Sequence, residues 1–73
     1  MKNRMREYRN AAEMTQAELA DEVHVTSRTI ISLEQGRYNP SLLLAYRIAR
    51  FFGTTVEEMF CLAENLEEDE QDG

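Results

Sequence analysis

The sequence predicts a small all-α protein, a single compact domain of five helices. Its length of 73 residues leaves room for one domain with a limited core. Apolar residues recur every three or four positions, which is the spacing of one face of a helix. Four of the predicted helices also follow a residue whose hydroxyl can cap the free N–H groups of the first turn. These residues are Thr15, Thr26, Ser41 and Thr55.

The first three predicted helices cover about residues 3–12, 16–23 and 27–35. A tight corner joins the second to the third, and Gly36 follows the third where a residue with positive φ belongs. Two helices joined by such a corner form a helix-turn-helix, the arrangement that presents its second helix to the major groove of DNA. The predicted inward positions are Met5, Tyr8, Ala12, Leu19, Ala20, Val23, Val25, Ile30 and Leu33.

Two further helices complete the predicted domain. Residues 37–40 form a loop, because Pro40 disfavours helix in the residue before it. A fourth helix follows Ser41 and runs to about residue 52, and a fifth follows Thr55 and ends near residue 62. The fourth helix is predicted to turn five residues inward: Leu42, Ala45, Ile48, Ala49 and Phe52.

The chain is predicted to consist of a domain over residues 1–63 and an acidic tail over residues 64–73. The net charge is −6, yet residues 1–56 hold eight basic and six acidic side chains, whereas residues 57–73 hold eight acidic ones and no lysine or arginine. The tail is predicted to be disordered from about Glu67 and to project away from any DNA-binding face. Between residues 60 and 66 the alternatives are a frayed helix end and a short strand added to a partner.

Several classes of protein are excluded by composition. Cys61 is the only cysteine and His24 the only histidine, so the chain offers neither an internal disulfide nor the three or four ligands of a zinc site. The same scarcity leaves no catalytic constellation, and we expect neither an enzyme nor a cofactor. No apolar run approaches the ~20 residues of a membrane span, so a cytoplasmic location is expected.

The central pattern resembles a known family of regulators. It reads Thr15-Gln16-x-x-Leu19-Ala20-x-x-Val23-x-Val25-Thr26-x-x-Thr29-Ile30-x-x-Leu33-Glu34-x-Gly36, followed by Asn39-Pro40-Ser41. This resembles the Cro/repressor-type helix-turn-helix, or XRE, family over about residues 3–62. The resemblance implies a five-helix lambda-repressor-like fold. It also implies a dimer that binds double-stranded DNA at an inverted-repeat operator, most often to repress transcription.

The resemblance also implies roles for individual residues. Gln16 matches a phosphate-contacting glutamine, and Arg28 matches a base-facing position from which two of its N–H groups fit the two acceptors of guanine. Arg9 and Glu34 match an ion pair that joins the first helix to the third. The full set of predicted DNA contacts is Gln16, Thr26, Ser27, Arg28, Thr29, Ser32, Arg37 and Asn39.

Two positions depart from the family pattern. His24 occupies the corner where the family often has glycine, so a residue other than glycine is expected to adopt positive φ there. Ile31 occupies a position that is usually polar in the family. Three alternatives are open for it: contact with a thymine methyl group, contact with a neighbouring subunit, or simple exposure.

Apolar residues left over from the core predict a homodimer. They are Leu43, Tyr46 and Phe51, together with Phe60, Cys61 and Leu62; the alternative is that Leu43 or Phe51 folds back over the core. A twofold dimer would place two recognition helices about 34 Å apart, one turn of DNA. A second function is also considered, an antitoxin-like protein-interaction module whose acidic tail binds a basic partner.

Overall fold

The computed structural model describes residues 1–72 of the chain and the side chains of residues 1–70. Within that part it contains six helices and no strand, so the predicted all-α class is confirmed and the predicted number of helices is one too few. None of the described helices is both long and apolar enough to cross a bilayer. The helices are α1 (Met5–Ala11), α2 (Gln16–Glu22), α3 (Ser27–Glu34), α4 (Leu42–Phe51), α5 (Val56–Met59) and α6 (Leu62–Asp72).

Hydroxyl side chains begin α2, α3, α4 and α5 where the sequence predicted them. The Thr15 hydroxyl accepts a hydrogen bond from the Glu18 N–H, and the Glu18 carboxylate accepts one from the Thr15 N–H, which completes a capping box. At the other three helices, the hydroxyls of Thr26, Ser41 and Thr55 each accept from the N–H three residues later. Each cap contributes about 1 kcal/mol to stability.

The corner between α2 and α3 is turned by His24. This residue has a φ of +62°, in the left-handed region that its side chain tolerates better than a branched one. The N–H of Val25 then donates to the Ala20 carbonyl at 3.0 Å, which closes the turn. Val25 packs against the core, so the corner is held from inside. The helix-turn-helix therefore keeps its tight corner without a glycine.

The core lies at the centre of the first five helices. It contains the predicted inward residues of α2 and α3, and Tyr8 and Phe52 pack at its edge with ring centroids 5.7 Å apart. The side chains buried most completely are Met5, Leu19, Val23, Ile30, Leu33, Ile48, Met59 and Phe60.

Two predicted inward positions are wrong. Leu42 is 81% exposed, and Leu44 packs against the core instead. Leu42 is the first residue of α4, and helical side chains point back toward the N-terminus, so it lies beyond the elements that cover the core. Ala12 is also exposed, because α1 ends at Ala11 and the chain turns there.

The end of the chain differs most from the sequence prediction. The predicted fifth helix breaks after Met59, where Cys61 takes a φ of +49°, and α6 then continues to Asp72 through the segment expected to be disordered. The predicted domain boundary at residue 63 therefore falls inside a helix. The Asn65 side-chain amide donates to the carbonyls of Phe60, at 2.7 Å, and Cys61, at 3.1 Å. These bonds tie the first turn of α6 to the end of α5.

The N-terminal segment holds α3, α5 and α6 together. Asn3 donates its side-chain amide to the Leu33 carbonyl at 2.8 Å, at the end of α3. The N–H of Arg4 donates to the Met59 carbonyl at 2.8 Å, at the end of α5. Lys2 exchanges backbone hydrogen bonds with the Asn65 side chain and pairs with Glu64 on α6. Residues 1–4 thus act as a strap across three helix ends.

Candidate nucleic-acid interface

One face of α3 is exposed and mostly polar, and the opposite face is buried. Ile30 and Leu33 are in the core, whereas Arg28 is exposed. Ser27 and Ser32 are half-buried and flank Arg28 on the outer side of the helix. The structure thus leaves these three predicted DNA contacts at the surface of the chain.

The start of α3 is tied down by its own hydroxyl groups. The Thr26 hydroxyl caps the helix and lies 3.2 Å from the Thr29 hydroxyl. Thr26 is exposed and Thr29 half-buried, so both stay near the surface at the end of the helix that carries Arg28. Base-edge contacts in helix-turn-helix proteins are made mainly from this end.

The predicted contact list omitted two exposed residues of the same face, of which Ile31 was given a thymine contact only as one of three alternatives. Ile31 and Gln35 follow Arg28 at intervals of three and four, and all three are exposed. The sequence could have revealed them, because residues three and four apart on a helix are neighbours and these positions lie opposite the buried ones. The outer face of α3 is therefore Arg28, Ile31 and Gln35, with a serine on either side.

A buried carboxylate holds α3 against α1. The Glu34 side chain is fully buried and accepts two hydrogen bonds from Arg9, from Nε at 2.6 Å and from Nη2 at 3.0 Å. A second arginine, Arg6, lies 3.5 Å from the same carboxylate. The structure brings together the two residues that the family resemblance pairs. This contact fixes the orientation of α3 relative to α1.

Glu34 also holds Gln16, the predicted phosphate contact. The Gln16 side-chain amide donates to Glu34 Oε1 at 3.1 Å. Burial alone acts to raise the pKa of Glu34, but the hydrogen bonds from Arg9 and Gln16 outweigh it and hold the pKa below its ordinary value. The bond with Glu34 raises the pKa of Arg9. Glu34 is therefore ionised at neutral pH and positions a residue of α2 as well as one of α1.

The loop after α3 presents the last two predicted contacts. Arg37 and Asn39 are both exposed. The loop starts at Gly36, whose φ is +72°, and a Cβ there would lie 3.0 Å from the Met1 carbonyl oxygen. Asn39 also lines a groove with residues of the strap and of α6, namely Met1, Leu62, Asn65, Leu66, Glu68 and Asp69. The acidic segment, expected to project away, therefore runs beside one predicted contact.

A separate apolar surface lies at the start of α4. Leu43 is 66% exposed and Tyr46 is 54% exposed, and together with Leu42 and Val56 they line a shallow depression. Phe51, at the other end of α4, is 41% exposed. Leu43 does not fold back over the core, and the ring of Phe51 packs edge-on against that of Phe52, with centroids 5.0 Å apart.

Two residues of the predicted dimer surface are not available to a partner. Phe60 is 1% exposed and Cys61 is 6% exposed, so both are part of the chain's own interior. The prediction is wrong for them because the break at Cys61 turns Phe60 into the core. Leu62, the first residue of α6, is half-buried against the same cluster.

A family model and several relatives agree on the class of protein. Residues 5–59 match the helix-turn-helix family model, and the chain belongs to this XRE-type helix-turn-helix family of DNA-binding transcriptional regulators. An uncharacterised HTH-type transcriptional regulator of Archaeoglobus fulgidus is 53% identical over 60 residues, which cover 82% of this chain and 86% of the relative. A regulator of the same description from Methanothermobacter thermautotrophicus is 52% identical over 66 residues, which cover 89% of this chain and 96% of the relative.

A solved structure has the same fold. The clp gene regulator ClgR from Corynebacterium glutamicum superposes with a TM-score of 0.70 at 24% identity, covering 93% of this chain and 76% of that chain. The domain is therefore of the lambda-repressor-like type, as the resemblance implied. The relatives are members of a non-enzymatic class. Across the residues that the structure describes, no three His, Cys, Asp or Glu side chains come together as a metal site.

Proposed function

We propose that this regulator represses transcription as a homodimer, with α3 of each subunit in the major groove of an inverted-repeat operator. The observation that carries the proposal is the rigid presentation of the outer face of α3. Arg28 is exposed on that face while Glu34, on the same helix, is locked to Arg9 at two atoms. An exposed arginine on a helix held in this way can bring its guanidinium to the two acceptors of a guanine.

The remaining predicted contacts support the proposal by flanking α3. Gln16 lies at the start of α2, and Arg37 and Asn39 lie in the loop that follows α3. Contacts of this kind position a protein on the phosphates but read no sequence. Residues 1–56 carry a net charge of +2, which suits a phosphate surface.

A second copy of the chain is the proposed partner of the apolar surface on α4. Leu42, Leu43, Tyr46 and Val56 form an almost wholly apolar depression, and leaving it in water is costly for so small a protein. A twofold contact covers the same surface on both subunits at once. It also supplies the pair of α3 helices that an inverted repeat requires.

Selection of bound duplexes from a random pool, together with sedimentation of the free protein, tests this function. We expect an inverted-repeat sequence and a dimer. Arg28→Ala should relax the preference at one position of each half-site, at a cost of about 1–3 kcal/mol in discrimination. The matched control is Arg50→Ala, which removes the same charge from the exposed end of α4 and should leave the preference intact.

Substitution at the apolar surface tests the dimer separately. Leu43→Asp should give a monomer that binds one half-site weakly, whereas Leu66→Asp, at a similarly exposed leucine of α6, should leave the dimer unchanged. Both side chains are largely in solvent, so both variants should fold. A monomeric wild-type protein, or an enriched sequence without symmetry, would contradict the homodimer.

One observation favours a second function, binding of a basic protein partner. The groove between the strap and α6 has apolar residues Met1, Leu62 and Leu66 and acidic residues Glu68 and Asp69 along its sides. A partner that the wild-type protein binds, and that Leu66→Ser with unchanged DNA binding fails to bind, would support this function. If Leu66→Ser binds the same partners as the wild-type protein, the groove is not a binding site for a protein partner.

A further inference from the structure

The centre of the exposed face of α3 is apolar. Ile31 is 37% exposed, although Ile30 beside it is fully buried. It lies one turn after Arg28 and one turn before Gln35, and all three are exposed. Ile31 also stands outside the hydrophobic cluster that the described residues form. Its side chain is therefore not a core residue and occupies the middle of a surface that is otherwise polar.

We propose that Ile31 determines sequence specificity by contacting the C5-methyl group of a thymine. The proposal rests on the proposed function, in which α3 enters the major groove. An isoleucine side chain has no hydrogen-bonding group, so it gains in the groove only from apolar contact. Among the groups that base pairs present there, the thymine methyl group is the apolar one.

The position of this thymine follows from helix geometry. Ile31 lies three residues after Arg28, which is about 4.5 Å along the axis of α3. Bases along one strand are about 3.4 Å apart. The thymine therefore lies one or two base pairs from the base pair that Arg28 contacts. Ser27 and Ser32 flank this face, and serine accepts several bases, so the apolar contact supplies the discrimination at that position.

The apolar depression does not account for the exposure of Ile31. Its lining residues are Leu42, Leu43, Tyr46 and Val56, from α4 and α5. A second copy seated there covers those side chains without needing Ile31. Contact between Ile31 and a neighbouring subunit nevertheless predicts a different result in the experiment below.

Replacement of single thymines by deoxyuridine tests the proposal, because it removes one methyl group and leaves base pairing intact. The probes are the duplexes enriched from the random pool, and the measurement is affinity by fluorescence anisotropy. For the wild-type protein, one deoxyuridine in each half-site should weaken binding about 16-fold, because each of the two half-sites loses the burial of one methyl group, a factor of about four. Thymines elsewhere in the same duplex should tolerate the replacement.

The isoleucine variants assign that effect to one side chain. Ile31→Ser should bind thymine and deoxyuridine duplexes equally, and Ile31→Val, which keeps an apolar branch, should retain most of the difference. Circular dichroism should show both variants folded, since the side chain lies outside the core. Selection with Ile31→Ser should lose the preference for thymine at that position while the preference set by Arg28 stays.

Three results would overturn the proposal. In the first, the deoxyuridine effect is the same in wild type and Ile31→Ser. In the second, no thymine of the enriched sequence responds. In the third, Ile31→Ser becomes monomeric and loses affinity for every duplex alike, which assigns Ile31 to a subunit contact. Failure to enrich any duplex at low salt would defeat the proposed function as well, so the two failures are distinguishable.

Discussion

The buried carboxylate of Glu34 joins three segments of the molecule at one point. It accepts from Arg9 on α1 and from Gln16 on α2, and it belongs to α3. A buried ion pair contributes little net stability, but removing one partner leaves an uncompensated charge. At this site the carboxylate fixes the orientation of α3, and it also restrains Gln16, a predicted phosphate contact.

Removal of the Arg9 charge should destabilise the domain in a pH-dependent way. We expect Arg9→Met to lower the free energy of unfolding by about 3 kcal/mol at pH 7, because the ionised Glu34 is left buried. In the wild-type protein the lowered pKa of Glu34 contributes stability that is present at neutral pH and lost as pH falls through the folded pKa. In the variant, burial dominates and raises the pKa of Glu34, so Glu34 takes up a proton at a higher pH. The deficit in the free energy of unfolding, relative to the wild-type protein, therefore narrows toward pH 4.

Urea unfolding followed by circular dichroism at several pH values measures this difference. Arg50→Met is the matched control, since it removes an exposed arginine and should change stability by no more than about 0.5 kcal/mol. A deficit that is constant between pH 7 and pH 4 would show that Arg9 acts through packing rather than charge.

At the scale of helices, the features predicted correctly from the sequence are those that depend on residues close together in the chain. The N-caps of α2, α3, α4 and α5 were predicted at the right residues, because each depends on a side chain and an N–H only three positions apart. The outward position of Leu42 and the existence of α6 were missed, because both depend on contacts between segments that are far apart in the sequence. The bonds between Lys2 and Asn65 span 63 positions, and no pattern within one segment contains them.

Asn65 is expected to hold α6 in place. Its side-chain amide donates to the carbonyls of Lys2, Phe60 and Cys61. Each such bond has a net value of about 1 kcal/mol, so Asn65→Ala should release α6 and leave the core of the first five helices folded. Hydrogen exchange should show at least tenfold lower protection within residues 62–72, with protection of α2 and α3 unchanged.

The control for α6 is Glu67→Ala, a substitution at an exposed position on the same helix. It should keep the protection of α6, because alanine favours helix and Glu67 does not line the groove. Loss of protection throughout the protein in Asn65→Ala would mean that α6 and the core unfold as one unit, contrary to this expectation.

For the molecule as a whole, the division of charge predicted from the sequence is retained, but its arrangement in space differs. The acidic segment was expected to be disordered and to project away from the DNA-binding face, because its composition gives no indication of contacts with the domain. The segment is helical instead, and α6 runs from the strap past the loop that carries Asn39. Glu68 and Asp69 therefore share a groove with a predicted phosphate contact.

Neutralising these two acidic residues should strengthen DNA binding more than neutralising two others on the same helix. Glu68→Gln with Asp69→Asn removes two negative charges beside Asn39, whereas Glu67→Gln with Glu70→Gln removes two from positions outside the groove. The double variants have equal net charge, so any difference in affinity reports where the charge lies. Because the Debye length is about 10 Å at 0.1 M salt, the groove variant should gain several-fold in affinity at low salt, and the gain should shrink as salt rises. Equal gains would show that only the total charge matters, and anisotropy titrations with one mixed-sequence duplex over a salt series distinguish the two results.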